Sequence, residues 1–249
     1  MNVLVTGASA GFGKAIARRF IQEGAKVIAT GRRLDLLEAL RAELGERLLP
    51  VKLDVTERDG VKQVLGALPS EFAEVDVLVN NAGLALGLET AQAARVEDWD
   101  VMVDTNVKGL LYCTHAVLPG MVARNRGHIV NMGSVAADFP YPGGNVYGAT
   151  KAFVQQFSLN LRADLLGTAV RVTDIEPGLV GGTEFSNVRF RGDDTRAASV
   201  YANTQPLTPE DIADAVHWVT TRPAHVNINV MSLMPVAQAF GPLAVKRQA

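Results

Sequence analysis

Tyr147 and Lys151 are the two residues whose types and spacing most directly suggest chemistry. They lie four positions apart in a stretch of helical periodicity, so a helix would place both side chains on one face. A tyrosine hydroxyl has a pKa of about 10, but a cation one turn away stabilises the phenolate. Tyr-x-x-x-Lys alone is a weak signal, because it arises by chance in many helices. Ser134 strengthens it, since this serine lies thirteen residues earlier at the end of an apolar run. The three residues indicate an acid–base site.

A glycine-rich turn connects the first apolar run to a helical stretch at residues 6–13. Glycines let a backbone turn sharply and approach a pyrophosphate, and the helix start presents free N–H groups and a positive dipole end. Since any tight turn can use glycines, the cluster alone is a weak signal, and its spacing Gly-x-x-x-Gly-x-Gly differs from the commonest fingerprint. We expect a dinucleotide to contact Gly7, Ser9, Gly11, Phe12 and Gly13.

Arg32 and Arg33 follow the second apolar run, where an acidic residue would bind the ribose hydroxyls of NAD. Guanidinium groups match a 2′-phosphate bidentately, so the pair favours NADP. The plainer interpretation is two solvated arginines that open a helix. However, cations near a helix start oppose its dipole and need another reason to lie there.

Two later turns carry further candidate cofactor contacts. Asp54, followed by Val55, is placed to accept a hydrogen bond from an adenine amino group, or to cap the next turn instead. Asn81, Ala82 and Gly83 follow the fourth apolar run. Small and amide residues there suit a backbone close to a cofactor, although turns rich in Asn and Gly are common.

The elements that position these residues are predicted by an alternation of short β-branched runs with longer helical segments, which is typical of a parallel sheet covered on both faces. Ligands of such sheets bind at the carboxyl ends of the strands, where all these motifs fall. The predicted strands are 3–6, 26–30, 49–53, 75–80, 127–132, 169–175 and 227–233. The predicted helices are 11–23, 34–44, 57–68, 96–123, 147–166 and 209–220.

The composition favours one globular α/β domain spanning residues 1–249. Of these residues 48% are hydrophobic and 20% charged, and 24 Lys plus Arg face 26 Asp plus Glu. The net charge of −2 gives no support to a nucleic-acid partner. Two segments interrupt the alternation: residues 181–206 are interpreted as a mobile substrate lid, and residues 235–249 as a surface tail.

Cysteine usage and the chain start point to a cytoplasmic protein. Cys113 is the only cysteine, which excludes an intrachain disulfide and an all-cysteine metal site and suits a reducing compartment. The first residues do not read as a signal peptide, and no apolar run approaches the ~20 residues of a membrane span. No metal is expected, because no metal-ligand spacing relates the four histidines, His115, His128, His217 and His225.

Taken together, the motifs resemble the short-chain dehydrogenase/reductase family over essentially the full chain. The resemblance implies a Rossmann-type doubly wound sheet with strand order 3-2-1-4-5-6-7, and hydride transfer between NADP(H) and a carbinol or carbonyl carbon. It rests on Thr6-Gly7-x-x-x-Gly11-x-Gly13, Asn80-Asn81-Ala82-Gly83, Asn106, Ser134, Tyr147-x-x-x-Lys151 and Pro177-Gly178.

The same resemblance implies roles for four residues. Tyr147 would exchange the proton with the substrate oxygen, and Ser134 would hydrogen-bond that oxygen. Lys151 would bind the nicotinamide ribose and lower the pKa of Tyr147. Asn106 would hold a water on a proton path from Lys151, whereas the residues alone allow it equally to be a polar residue that kinks a long helix.

Further contacts are implied after the sixth strand. Pro177, Gly178 and Val180 resemble the segment that meets the nicotinamide carboxamide, with Thr183 near the pyrophosphate. The stretch 176–190 is most similar to NADP-dependent 3-hydroxy acid dehydrogenases, which act on serine, allo-threonine and 3-hydroxypropionate-type substrates. The tail is similar to that of the same subgroup, which suggests a homotetramer.

The small-acid substrate depends on two cations in the predicted lid. Arg189 and Arg191 are placed to bind a substrate carboxylate, although lid arginines are usually solvated. A general carbonyl, polyol or 3-oxoacyl reductase remains the alternative within the family. A dinucleotide-binding sensor without turnover is the alternative from another class, because fold does not fix function.

Overall fold

The computed structural model describes residues 1–241. These residues form a parallel seven-stranded sheet in the order β3-β2-β1-β4-β5-β6-β7. The strand order and the doubly wound sheet implied by the resemblance are thereby confirmed. The strands are β1 (Asn2–Val5), β2 (Lys26–Gly31), β3 (Leu48–Lys52), β4 (Val77–Asn80), β5 (Gly127–Met132), β6 (Val170–Pro177) and β7 (Val230–Leu233).

Helices cover both faces of the sheet, and the two apolar layers alternate along each central strand. The helices are α1 (Gly11–Gln22), α2 (Leu34–Leu44), α3 (Arg58–Gly66), α4 (Ser70–Ala73), α5 (Val96–Val103), α6 (Leu110–Ala123), α7 (Asn145–Asp164), α8 (Phe185–Arg189), α9 (Asp194–Ser199) and α10 (Pro209–Thr220). In β1, Val3 and Val5 pack into the cluster with α1, α2 and α10, whereas Leu4 packs into the cluster with α3, α6 and α7.

The helix predicted over 96–123 is interrupted. A π-helical segment, Asp104–Gly109, separates α5 from α6. Such wide turns insert an extra residue into a helix and often mark functional positions. Here the turn lets Gly109 approach Val55 so closely that a Cβ would lie 2.6 Å from the valine side chain. The single-helix prediction was wrong because these tertiary contacts override the apolar periodicity.

The segment between β6 and α10 is ordered by two short helices, α8 and α9, rather than lacking periodicity. At its end, Thr208 and Asp211 form a capping box that starts α10. The predicted tail is described only to Gly241, and Lys246 and Arg247 lie outside the described residues. No helix within residues 1–241 is long and apolar enough to cross a lipid bilayer.

Candidate active site

A cavity of about 870 Å³ lies at the carboxyl ends of the central strands. It gathers most of the residues predicted for cofactor and catalysis. Three predicted residues fall outside its lining: Gly13, Asn106 and Arg191. The predicted residues that line it are Gly7, Ser9, Gly11, Phe12, Arg32, Arg33, Asp54, Val55, Asn81, Ala82, Gly83, Ser134, Tyr147, Lys151, Pro177, Gly178, Val180, Thr183 and Arg189.

The glycine-rich turn is built for close backbone approach. Gly7 and Gly11 have φ of +67° and +50°, which favour glycine. A Cβ on Gly13 would lie 2.3 Å from the carbonyl oxygen of Gly7, so this glycine closes α1 onto the turn instead of facing the cavity. The N-terminus of α1 has neither a side-chain cap nor an acidic residue in its first turn. Its N–H groups and dipole therefore suit the pyrophosphate of a dinucleotide.

Arg33 connects this turn to the segment after β6. Its Nη1 and Nη2 atoms donate to the two carboxylate oxygens of Glu184 at 3.2 and 2.8 Å, and its Nη2 also donates to Ser9 Oγ at 3.1 Å. The hydrogen bond to Glu184 raises the pKa of Arg33, and the pKa of Glu184 is lowered in return. Arg32 lies beside Arg33 in the cavity lining. Both guanidinium groups are exposed at the rim, where a charged group of a ligand can reach them.

Asn81 braces two turns against each other. Its Nδ2 donates to the backbone oxygens of Thr6 and Gly7 at 2.8 and 3.2 Å. Thr6 Oγ1 in turn accepts from the backbone N–H groups of Asn81 and Ala82 at 3.0 and 2.9 Å. The amide therefore fixes the backbone beside the cavity.

Asp54 makes the turn-capping contact that its sequence position allowed, and its adenine contact stays a prediction. Its Oδ1 accepts from the backbone N–H and the hydroxyl of Thr56 at 3.0 and 2.8 Å, which is the turn-capping alternative. The residue also lines the cavity together with Val55. One oxygen therefore holds the turn while the residue stays at the cavity wall.

Helix α7 and strand β5 bring together Ser134, Tyr147 and Lys151. Ser134 follows β5, and its Oγ accepts from the N–H of Ala136 at 3.1 Å. Tyr147 is in the first turn of α7 and only 9% exposed. Lys151 lies one turn later, with Nζ 5.8 Å from the Tyr147 ring centroid, and donates to the Met132 carbonyl at 2.7 Å. The predicted acid–base cluster is thus assembled in one place.

Burial is the largest influence on the pKa values of Tyr147 and Lys151. It raises the pKa of Tyr147 to about 12, against the opposing effects of a hydrogen bond with Ser134 and the charge of Arg189. Burial also lowers the pKa of Lys151 to about 8, which the charge of Asp174 opposes. In the protein alone, loss of water around the phenolate outweighs the charge of Arg189, and the lowering of the Tyr147 pKa by Lys151 stays a prediction.

Asn106 lies in the π-helical segment and is held by protein groups. Its Oδ1 accepts from the N–H of Leu84 at 2.9 Å, and its Nδ2 donates to the Leu84 carbonyl and to Thr150 Oγ1 at 2.8 and 3.1 Å. A Cβ on Gly83 would lie 3.2 Å from Asn106 Oδ1 and 3.7 Å from Lys151 Nζ. The helix is distorted at Asn106 and the side chain fixes the loop beside the lysine, while the water-holding role implied by the resemblance stays a prediction.

The two candidate lid cations have different positions. Arg189, at the end of α8, donates to the Gly87 carbonyl at 3.0 Å and to the Tyr141 hydroxyl at 2.8 Å, and its guanidinium carbon is 5.6 Å from the Tyr147 ring centroid. Arg191 instead pairs with Asp98 outside the cavity lining. Of these two arginines, Arg189 lies beside Tyr147 and Arg191 does not.

An aromatic wall around the catalytic end was missed from the sequence. The Phe185 ring meets Tyr147 edge-on at 5.8 Å, and Phe139 packs on Phe240 at 4.5 Å. Gln238 also enters the cavity lining, and its Oε1 accepts from the N–H of Leu179 at 2.7 Å. The described part of the predicted surface tail therefore closes the site. The available signal was the placement of aromatic residues in otherwise polar, glycine-containing segments.

Comparisons with known proteins agree with this geometry. A model of the short chain dehydrogenase family matches residues 1–193. The chain is 66% identical over 247 residues to the NADP-dependent 3-hydroxy acid dehydrogenase YdfG of Salmonella typhi, covering 99% of this chain and 100% of that protein. It is 51% identical over 248 residues to the serine 3-dehydrogenase of Agrobacterium fabrum, covering 100% of this chain and 99% of that protein.

A solved structure shares the complete fold. The closed form of a serine dehydrogenase complexed with NADP⁺ superposes with a TM-score of 0.99 at 65% identity, covering 100% of both chains. A 3-ketoacyl-(acyl-carrier-protein) reductase from Brucella melitensis, complexed with NADH, superposes with a TM-score of 0.83 at 28% identity, covering 94% of this chain and 96% of that one. The family match and the full-length identities show that this chain belongs to the short-chain dehydrogenase family.

Proposed function

We propose that this protein is an NADP-dependent 3-hydroxy acid dehydrogenase. It transfers a hydride between NADP(H) and C3 of a small 3-hydroxy acid such as serine, allo-threonine or 3-hydroxypropionate. The observation that carries the proposal is the guanidinium group of Arg189 beside Tyr147, in one cavity with Ser134 and Lys151. A cation at that distance suits a substrate whose carboxylate lies close to its reacting hydroxyl. The names of the full-length relatives support the same class.

The cofactor would be held by groups along the whole cavity. The N-terminus of α1 and the turn containing Gly7, Ser9, Gly11 and Phe12 suit the pyrophosphate. Arg32 and Arg33 would bind the 2′-phosphate, and Asp54 with Val55 would lie at the adenine. The remaining proposed contacts are Asn81, Ala82 and Gly83 under the ribose, and Pro177, Gly178, Val180 and Thr183 along the nicotinamide and pyrophosphate.

The chain's own residues move and hold the proton, while bound NADP⁺ supplies the hydride acceptor. In oxidation the Tyr147 oxygen takes the proton of the substrate hydroxyl, and in reduction it returns a proton to the carbonyl oxygen. Ser134 donates a hydrogen bond to that same oxygen. Lys151 binds the ribose and keeps a positive charge near the Tyr147 oxygen. Because burial favours the neutral phenol, the resting protein is poised to donate a proton.

The decisive experiment compares substrates directly. NADP-linked rates with L-serine, L-allo-threonine and 3-hydroxypropionate are expected to exceed those with simple alcohols and with 3-oxoacyl thioesters in the reductive direction. Faster turnover of the thioester would favour the reductase alternative within the family. Binding of NADPH without turnover of any acid, alcohol or carbonyl compound would instead support a sensor.

We further propose a homotetramer that resides in the cytoplasm. Two different self-complementary contacts are what a tetramer with perpendicular two-fold axes requires. One proposed contact uses α5, α6 and α7 and the other uses α10 and the edge strand β7, because these elements expose large apolar side chains: Val101, Val122, Phe153 and Leu159 on the first three, and Trp218 and Val230 on the other two. The buried, free Cys113 suits a reducing compartment.

A further inference from the structure

Two buried carboxyl groups beneath α7 have no role in the site described so far. Asp174 and Glu176 lie two positions apart on β6, so both side chains point to the same face of the sheet. Asp174 is 0% exposed and Glu176 is 1% exposed. A buried carboxylate is costly unless donors or cations compensate it. For two adjacent buried carboxyl groups, the question is therefore which one carries a proton and which one carries a charge.

Asp174 and Glu176, hereafter the acid pair, have too few hydrogen-bond donors around them to satisfy two ionised carboxylates. Gln155 Nε2 donates to Glu176 Oε1 at 2.9 Å and to Asp138 Oδ1 at 2.9 Å. Within residues 1–241, no N–H or O–H group meets either oxygen of Asp174 with hydrogen-bond geometry. The two carboxyls are nevertheless neighbours on one face of β6, where alternate side chains lie side by side. A hydrogen bond between carboxyl groups exists only if one of them carries a proton.

The acid pair lies next to the catalytic lysine. Lys151 and Gln155 are one turn apart on α7, and Lys151 Nζ donates to the carbonyl of Met132. The following residue, Gly133, packs directly on the acid pair, because a Cβ there would lie 2.5 Å from Asp174 Oδ1. The peptide between Met132 and Gly133 is thus contacted by the ammonium group on one side and the carboxyl group on the other.

The charges that act on Asp174 all come from this neighbourhood. Burial, together with the charges of Glu176 and the exposed Asp138, raises its pKa to about 8 against the opposing charge of Lys151. The pKa of Glu176 is raised by burial and by Asp138. For Lys151, the charge of Asp174 is the one that opposes the lowering of its pKa by burial. The acid pair and the lysine are therefore electrostatically coupled.

We propose that Asp174 and Glu176 share one proton, and that the single negative charge left on the acid pair keeps Lys151 in its ammonium form. The two carboxyls are positioning residues: they act on the reaction through the lysine and touch neither substrate nor cofactor. This inference rests on the proposed function for the role of Lys151. The proton between the carboxyls can be tested independently of that function.

The first test removes the charge and keeps the shape. In the double variant Asp174→Asn/Glu176→Gln, Lys151 loses its counter-charge, so its pKa falls. The basic limb of the kcat/KM profile for 3-hydroxy acid oxidation should move to lower pH by about one unit. Each single variant retains one carboxyl group and should shift the limb less. A double variant whose pH profile coincides with that of the wild type would overturn the proposal.

A second variant gives a shift of opposite sign. Asp138 is exposed, so Asp138→Asn should fold normally and keep an oxygen for Gln155. Loss of its charge makes the acid pair easier to ionise, which raises the pKa of Lys151. The basic limb should then move to higher pH by a few tenths of a unit. A shift toward lower pH, or none, would contradict the coupling.

The shared proton has its own spectroscopic readout. At neutral pH the wild type should show the infrared carbonyl band of a buried protonated carboxyl group, and the double variant should lack it. Absence of that band in the wild type would overturn the shared proton whether or not the protein turns over 3-hydroxy acids. If the band is present but no NADP-linked turnover is found, the acid pair stands and the proposed function fails.

Discussion

The chemistry at Tyr147 is governed by the surroundings of its hydroxyl. We expect Tyr147→Phe to lower turnover by a factor of about 10² to 10⁴. NADPH binding should stay near the wild-type value, because the ring still packs and only the proton donor is lost. Steady-state rates and NADPH fluorescence titration check this. Substantial residual turnover would assign the acid–base role to another group.

Arg33 should discriminate between the two nicotinamide cofactors. Arg33→Ala removes a charge-assisted contact to the proposed 2′-phosphate, so NADP affinity should fall about ten- to hundred-fold with little change for NAD. Arg32→Ala should act in the same direction. Titrations of both cofactors measure the effect.

Glu184→Gln is the matched control for the arginine. It breaks the ion pair with Arg33 but keeps the guanidinium group. NADP affinity should therefore not fall in this variant. Equal losses for NADP and NAD in Arg33→Ala would refute the phosphate contact.

Substrate choice is expected to depend on Arg189. Arg189→Ala should raise KM for L-serine at least tenfold and leave an uncharged alcohol almost unchanged, because only the acid loses a partner. Arg191→Ala serves as control, since that side chain pairs with Asp98 away from the cavity. If both variants keep wild-type kinetics on serine, the carboxylate is recognised elsewhere.

At the scale of elements, the contact of α1 with its glycine turn is predicted to be tight. Gly13→Ala places a Cβ against the Gly7 carbonyl, which should destabilise the fold by about 1–3 kcal/mol and weaken NADP binding. Gly66→Ala is the contrast: Gly66 is exposed at the end of α3 with nothing within 4 Å of where a Cβ would lie, and this change should stabilise by about 0.4–1 kcal/mol. Denaturant unfolding measures the free energy of unfolding of both variants against the wild type. Equal stabilities would show that the turn can relax.

The sequence predicted elements well wherever periodicity and local signals agreed. The helices at 34–44 and 209–220 and the strand at 127–132 have the predicted bounds, because caps and apolar patterns are local. The break at Asn106 was open to two interpretations, since the groups that bind its side chain come from distant parts of the chain. Long-range contacts of this kind leave no periodic trace.

In the candidate site, too, local spacing was predictable from the sequence and long-range placement was not. Tyr147, Lys151 and Ser134 were identified because their spacing carries the chemistry. The roles of Arg189 and Arg191 could not be separated from sequence, because the end of α8 at residue 189 decides which side chain enters the cavity. Gln238 was missed because a tail gives no periodic signal for where it folds back.

At the scale of the whole molecule, the proposed tetramer has two different contacts, and each can be broken separately. Phe153→Glu and Trp218→Glu each place a charge on one proposed contact, so each should convert a tetramer into a dimer, and the double variant should be monomeric. Analytical ultracentrifugation measures the masses. A wild-type protein that sediments as a monomer would refute the assembly.

The hydrogen bonds of Arg33 have a consequence for altering cofactor use. The same guanidinium group that faces the proposed 2′-phosphate holds Glu184, the residue that precedes the helix carrying Arg189. Replacing Arg33 to obtain an NAD-using catalyst therefore also releases the start of that helix. Cofactor preference and affinity for the hydroxy acid are joined through one side chain. A protein engineer should thus screen both properties together and begin with substitutions at Arg32, which leave that connection in place.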